Sequence, residues 1–352
     1  MQLDTNFWKD KKVFITGHTG FKGSWMTLLL TYMGANVSGY SLKPYSDPNL
    51  FEEAGVAVDI KNIFADIRDE NALRNAIFEH KPEIIIHMAA QPLVRRSYKD
   101  PIETFSTNVI GTANLLEAAR HSNNTRVVIN VTTDKCYENK EWLWAYREDE
   151  PMGGHDPYSS SKACSELITK AYRKSFYKES KIALASARAG NVIGGGDWSD
   201  DRLIPDILSA FQDNRPVIIR NPESIRPWQH VLEPIHGYLL LAEKMYDDDS
   251  SYSEAWNFGP NEDDSKSVEW VIEEMVSKWG SGASWINDTN KNPHEANFLK
   301  LDISKAKIGL KWQPKWSLNQ ALDHIVSWHK GWINDISARE LCIKQIENFI
   351  NN

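Results

Sequence analysis

Cysteine is scarce: the 352 residues hold three (Cys136, Cys164 and Cys342), with no Cys-x-x-Cys spacing and an odd count. That excludes a disulfide framework and fits a reducing compartment. No run approaches the roughly 18 consecutive apolar residues of a membrane-spanning helix, so no membrane partner is expected. The opening Met1-Gln-Leu-Asp-Thr-Asn6 has neither a basic nor an apolar stretch, so no signal peptide is read and a cytoplasmic location is expected. Positive charge is also short. Forty Lys plus Arg against 48 Asp plus Glu leave a formal net charge of −8, with no basic stripe. Nucleic acid is therefore not an expected partner, although a local basic pocket remains open. Internal repeats and low-complexity tracts are lacking too. Hydrophobic content of 41% and charged content of 25% are those of a globular chain that can bury a full core, as two domains or one large α/β unit.

What is there begins with Val13-Phe-Ile-Thr-Gly-His-Thr-Gly-Phe-Lys-Gly23. An apolar run, Val13 to Thr16, breaks at Gly17, and glycines recur at 20 and 23 ahead of the apolar Ser24-Trp-Met-Thr-Leu-Leu-Leu30. A strand, a glycine turn and a helix in that order point to dinucleotide binding. Gly17 permits a tight turn, Gly20 lets the backbone approach a pyrophosphate, and Gly23 lets the helix pack closely on the strand. The diphosphate would sit on the helix N-terminus, where free N–H groups and the dipole favour an anion.

Further strands are read at 36–41, 60–64, 84–90, 126–131 and 182–187, the continuous apolar runs being those of a parallel sheet covered on both faces. Helices are read between them, including Pro101 to His121 and Asp156 to Tyr177. Asp69 can cap the helix after strand three, and Pro157 suits a first helical turn. The alternation predicts an α/β fold, a Rossmann-type doubly wound parallel sheet with ligands at the carboxyl ends of its strands. The expected division is a dinucleotide-binding domain over 1–187 and a smaller, mostly helical substrate domain over 188–352. A helix and a strand near 231–258 are expected to return to the sheet. Most of the 14 tryptophans are read as core, and Asp247-Asp-Asp249 as a solvated loop. His87, on an apolar strand, is read as a satisfied core histidine.

Tyr158-Ser-Ser-Ser-Lys162 places a phenol and an ammonium one helical turn apart on one face. A nearby cation favours the phenolate, so Tyr158 is expected to have a lowered pKa and to serve as a general base. Thr132-Thr-Asp-Lys-Cys-Tyr137 ends strand five, where an active site is expected.

Together these stretches resemble the extended short-chain dehydrogenase/reductase family of nucleotide-sugar enzymes, and within it the nucleoside-diphosphate-hexose 4,6-dehydratases. Supporting stretches are Thr107-Asn-Val-Ile-Gly-Thr112, Arg188-Ala-Gly-Asn-Val-Ile-Gly-Gly-Gly-Asp-Trp198, Arg226-Pro-Trp-Gln-His-Val231 and Pro293-His-Glu-Ala-Asn-Phe-Leu-Lys-Leu301. In dTDP-glucose relatives the strand-five motif reads Thr-Asp-Glu. Thr133-Asp134-Lys135 resembles the CDP-glucose branch instead, which implies CDP-glucose as the small-molecule substrate.

The resemblance implies NAD as a recycled oxidant. Tyr158, aided by Lys162 and Thr133, would take the O4 proton while C4 is oxidised, and Asp134 would protonate the leaving C6 hydroxyl. Lys135 occupies the place of the dTDP branch's C5 base. It could act as a neutral base or as a charged stabiliser, with His294 or Glu295 then the base. Cofactor contacts are expected from Gly17, His18, Thr19, Gly20, Phe21, Lys22, Gly23, Ser41, Asp66, Ile67, Ala89, Ala90 and Asn108, besides Tyr158 and Lys162. His18 and Lys22 are expected to crowd the phosphate turn. The family's acidic residue closing strand two is missing, since that strand ends Tyr40-Ser41-Leu42-Lys43. Asp66 is open to a second reading as a helix cap. Arg226, Arg202 and Arg220 are candidates for the substrate diphosphate because a guanidinium fork matches phosphate oxygens, and Arg202 could instead cap a helix. Asn191, Asp197, Trp198 and His294 are expected at the nucleotide or sugar, and Trp228 is noted beside them. The family's pairing of the helices at 101–121 and 156–177 across a two-fold implies a homodimer or homotetramer.

Overall fold

The computed structural model describes residues 1–288 and 298–351. Seven parallel strands form the central sheet: β1 (Lys12–Thr16), β2 (Asn36–Ser41), β3 (Lys61–Phe64), β4 (Ile84–His87), β5 (Val127–Thr133), β6 (Ala183–Ala189) and β7 (Ala255–Phe258). Their order is β7-β6-β5-β4-β1-β2-β3. The chain runs outward from β1 to β3, then crosses back to place β4 on the other side of β1. This is the topological switch at which a doubly wound sheet opens a crevice. β1 holds β2 through Thr16↔Tyr40 and β4 through Thr16↔His87, so the three strands end at one level. β7 pairs with β6 over Ala255↔Ser186 to Phe258↔Ala189, the returning strand expected near 231–258.

β4 stops at His87, three residues short of the expected strand. The Thr16 hydroxyl accepts the amides of Met88 and Ala89, both at 3.1 Å, and draws the chain out of the ladder there. The helices covering the sheet are α1 (Phe21–Tyr32), α2 (Glu70–His80), α3 (Val94–Lys99), α4 (Pro101–Phe105), α5 (Gly111–Arg120), α6 (Pro157–Tyr172) and α7 (Leu203–Gln212), followed by α8 (Leu232–Asp247). Asp69 caps α2 by accepting from Ala72 N, and Asp156 caps α6 by accepting from Ser159 N, with Pro157 in the first turn. The expected helix at 101–121 is continuous but widens into a π turn at Ser106–Ile110, and α6 likewise ends in a π turn at Arg173–Tyr177.

Beyond β7 come α9 (Val268–Trp279), α10 (Leu318–Ile333) and α11 (Ala338–Asn351). Three two-stranded ladders join the second half: Val192–Ile193 with Gln229–His230, Ile225–Pro227 with Ser265–Ser267, and Val217–Ile219 with Trp285–Asn287. Their own core gathers Ile204, Phe211, Trp228, Ile272, Leu322 and Ile325. The end of α10 and the whole of α11 leave it. Trp328, Ile346 and Phe349 share the main core with Trp25, Ile235 and Tyr238, which ties the C-terminus to the face of the sheet. Among the described residues no helix is long and apolar enough to cross a membrane, and no His/Cys/Asp/Glu group could hold a metal ion.

Candidate active site

The carboxyl ends of β1, β2, β4, β5 and β6 open onto one cleft of about 580 Å³, roofed by loops of the second half. At its base lies the glycine turn. Gly17 takes φ +78°, and a Cβ there would come within 2.7 Å of Ala89 N. A Cβ on Gly23 would stand 2.0 Å from Gly17 O, so α1 can start this close to β1 only without a side chain. A Cβ on Gly20 would meet nothing nearer than Gly17 O at 3.5 Å, and Gly20 carries no side-chain cap for α1. The N-terminal amides of α1 are thus left for a ligand on an open side of the turn, the cradle a dinucleotide diphosphate fits. Thr19, Phe21, Lys22, Ser41, Asp66, Ile67, Ala89 and Ala90 line the same cleft.

Two expected cofactor residues do not reach it. His18 is fully buried, its ring lying where a Cβ on Gly39 would be and its Nε2 pairing with Asn62 Oδ1 at 2.7 Å. Gly39 has left room for it inside the sheet, so the side chain does not crowd the phosphate turn. Asn108 is buried as well. It accepts from Gln91 N at 2.8 Å and donates to Gln91 O and Ser161 Oγ, and so braces the segment after β4 rather than facing a ligand. Lys22 does face the cleft, where burial first, then Arg202 and Lys162, bring its ammonium down to about 7. Where an acid would close strand two, Thr19 Oγ1 meets Ser41 Oγ at 2.9 Å and donates to Leu42 O. Asp66 is not a helix cap. Its carboxylate is gripped by Arg68 at 2.6 Å, with Asp69 capping instead. His87 is enclosed between Thr16 Oγ1 at 2.7 Å and Thr112 Oγ1 at 3.3 Å.

Thr133, Asp134, Lys135, Tyr158 and Lys162 come together at the end of β5 and the start of α6. The expectation of a lowered tyrosine pKa fails for the free protein. Burial raises the Tyr158 phenol to about 12, against the pull of Thr133 and Arg202. The same burial lowers Lys162 to about 8, its ammonium donating to Val131 O at 3.3 Å. Desolvation disfavours both charged forms, so the pair is phenol plus ammonium below pH about 8. Burial also raises the Asp134 carboxyl, against Lys135 and Thr133. Its Oδ1 accepts from Thr133 Oγ1 at 2.9 Å, while Oδ2 has no partner among the described protein atoms. A buried carboxyl whose pKa is raised, with one oxygen unpartnered among the described protein atoms, is suited to serve as a general acid. Lys135 is half-buried on the cleft wall.

Beneath this group lies a buried ion pair with no role assigned from sequence. Burial alone would raise Glu166, but Arg188 at 2.8 Å and hydrogen bonds from Thr132 and Ser186 hold it below its ordinary value. Glu166 stands one turn beyond Lys162, the only sequence signal for it. The Thr132 hydroxyl on this carboxylate fixes β5 just before Thr133, at 2.5 Å.

On the opposite wall are Asn191, Asp197, Trp198, Arg202, Arg220, Arg226 and Trp228. Arg226 is 9% exposed on the Ile225–Pro227 strand and acts on Asp134 by charge. Arg202 precedes α7 without capping it by side chain and lies 3.9 Å from Asp197 Oδ2. Trp198 packs edge-on against Trp332 at 4.9 Å while lining the cleft. Trp228 donates from Nε1 to Lys266 O. His294 and Glu295 lie outside the described residues.

Residues 14–325 match the family model described as GDP-mannose 4,6 dehydratase. The chain is 56% identical over 336 residues to CDP-glucose 4,6-dehydratase of Salmonella typhimurium, covering 94% of each. It is 27% identical over 349 residues to human dTDP-D-glucose 4,6-dehydratase, covering 94% of each. Among solved structures, dTDP-glucose 4,6-dehydratase of Bacillus anthracis in complex with NAD superposes with a TM-score of 0.73 at 22% identity, over 90% of this chain and 96% of that one. UDP-glucuronic acid 4-epimerase of Bacillus cereus, in complex with UDP-glucuronic acid and NAD, gives 0.78 at 24%, over 91% and 99%. At these identities the structural likeness speaks for the fold.

Proposed function

The chain belongs to the GDP-mannose 4,6 dehydratase family, and from that premise we propose that it is an NAD-dependent hydro-lyase converting CDP-glucose to CDP-4-dehydro-6-deoxyglucose. The observation that carries the reading is the buried Asp134, its carboxyl pKa raised by desolvation, beside Tyr158 and Lys162. An enzyme that only oxidises and reduces C4 needs no acid for a C6 hydroxyl. The choice of CDP-glucose rests on the 56% identical relative and on Lys135 in place of glutamate.

Tyr158 accepts the proton of the sugar O4, oriented by Thr133 and kept beside the charge of Lys162. NAD, when bound, supplies hydride storage between C4 and C6 and a positive charge that favours the phenolate. The 4-keto group acidifies C5-H, and Lys135 stands at the wall from which that proton is taken. Asp134 then donates its proton to the departing C6 hydroxyl through the oxygen that has no partner among the described protein atoms. Gly17, Gly20, Gly23, Thr19, Phe21, Lys22, Ser41, Asp66, Ile67, Ala89 and Ala90 form the NAD cradle. Asn191, Asp197, Trp198, Arg202, Arg220 and Arg226 form the nucleotide-sugar side, which makes residues 1–187, with the helix and strand near 231–258, the cofactor part and the rest of 188–352 the substrate part.

A homodimer or homotetramer fits the exposed Ile102, Ile110 and Leu167 on the covering helices, at 76%, 54% and 54%. We place the enzyme in the cytoplasm, in deoxysugar and lipopolysaccharide O-antigen precursor synthesis. The test is incubation with NAD and each of CDP-, dTDP-, GDP- and UDP-glucose, with the 4-keto product read by its alkaline absorbance. Product from CDP-glucose alone is expected, and none from any of the four would end the reading.

A further inference from the structure

Two guanidiniums from opposite walls of the cleft converge on one carboxylate oxygen. Arg95, on α3 behind β4, reaches Asp201 Oδ1 with Nη1 at 3.1 Å. Arg220, beyond the strand at 217–219, approaches the same oxygen with Nη1 at 3.8 Å. All three residues line the cleft. A point within 4 Å of two guanidinium nitrogens is where a phosphate oxygen is held, because the planar fork matches phosphate geometry. Asp201 is a weak occupant of it. Its side chain is 43% exposed and that of Arg95 36%, and ion pairs so wetted contribute little. A diphosphate offers more oxygens and more charge to the same two groups.

We propose that Arg95 forms the second wall of the substrate's diphosphate site, and that Asp201 is its counter-ion in the free enzyme, displaced from both arginines when the diphosphate enters. This rests on the nucleotide-sugar reading above. Asp201 is suited to let go. It sits at φ +57° on the short loop ahead of α7, a conformation that Asp and Asn adopt more readily than other side chains. Asp206 also feels the charge of Arg220, so the arginine keeps one acidic neighbour after Asp201 leaves.

The two ends of this ion pair should respond with opposite signs. With the enzyme saturated in NAD, calorimetric titration with CDP compares wild type, Arg95→Gln and Asp201→Asn, and cytidine serves as the phosphate-free control. Arg95→Gln should weaken CDP about tenfold, the scale of one charge-assisted hydrogen bond, and leave cytidine unchanged. Asp201→Asn keeps the backbone geometry and should tighten CDP by about threefold, as the competing charge is gone. In turnover, Arg95→Gln should raise KM with kcat nearly kept. If both variants weaken CDP, the pair is only a structural latch and the proposal fails. Unchanged CDP binding in Arg95→Gln overturns it as well. A wild type that does not bind CDP removes the nucleotide-sugar reading itself, and this inference with it.

Discussion

Replacing Asp134 by Asn tests the chemistry and the electrostatics of the site in one variant. The side chain is 2% exposed, Oδ1 accepts the Thr133 hydroxyl at 2.9 Å, and Oδ2 has no partner among the described residues. Asn keeps the volume and the Thr133 contact but has no proton to give. Loss of a general acid should lower turnover by about 10²–10⁴-fold. Oxidation at C4 does not use this proton, so single turnovers should accumulate reduced cofactor and 4-keto-glucose. Stability should move the other way. A carboxyl whose pKa folding has raised contributes stability fully below its unfolded value of about 3.9 and loses it as pH rises through the native value. Asn does not titrate, so the variant should gain on the parent as pH rises. Thermal unfolding at about pH 4 and about pH 8 reads this directly, with the midpoints close at the lower pH and the variant ahead at the higher. A variant that fails at C4 oxidation, or that is less stable than the parent at the higher pH, would refute both the role and its electrostatic basis.

Tyr158→Phe keeps the shape of a buried ring and should bind CDP-glucose while losing about 10²–10⁴-fold in turnover; near-normal turnover removes Tyr158 from the mechanism. Lys135→Met should stop deuterium wash-in at C5 while C4 oxidation continues, whereas Lys135→Arg should keep partial activity if the group acts as a cation. Wash-in that survives in Lys135→Met moves the base away from Lys135. Gly20→Ala should leave the melting temperature nearly unchanged, since φ is −77° and the new Cβ meets only Gly17 O at 3.5 Å, yet weaken NAD in a titration because the methyl stands on the ligand side. Gly23→Ala, whose Cβ would lie 2.0 Å from Gly17 O, should lower the yield of folded protein instead.

The sequence by itself determined what short-range physics controls. Continuous apolar runs at β1, β4 and β5 can only be buried on both faces, and with helices between them that leads to a parallel doubly wound sheet. The glycine spacing at 17, 20 and 23 and the four-residue step from Tyr158 to Lys162 are fixed by the chain's own geometry, so both were legible before any packing was known. Packing between distant segments decided the rest. His18 turns inward because Gly39, on the neighbouring strand, leaves the space its ring takes. Asn108 is consumed by Gln91 and Ser161, one on the segment after β4 and the other on α6. The Tyr158 phenol is pushed up rather than down, because desolvation depends on everything that encloses it and not on the one cation a turn away. Arg95 and Asp201 stand 106 positions apart and meet only in the folded chain, at the cleft. Hydrogen-bond periodicity and hydrophobic pattern are local properties, whereas burial, and the charge balance it imposes, belong to the whole folded chain.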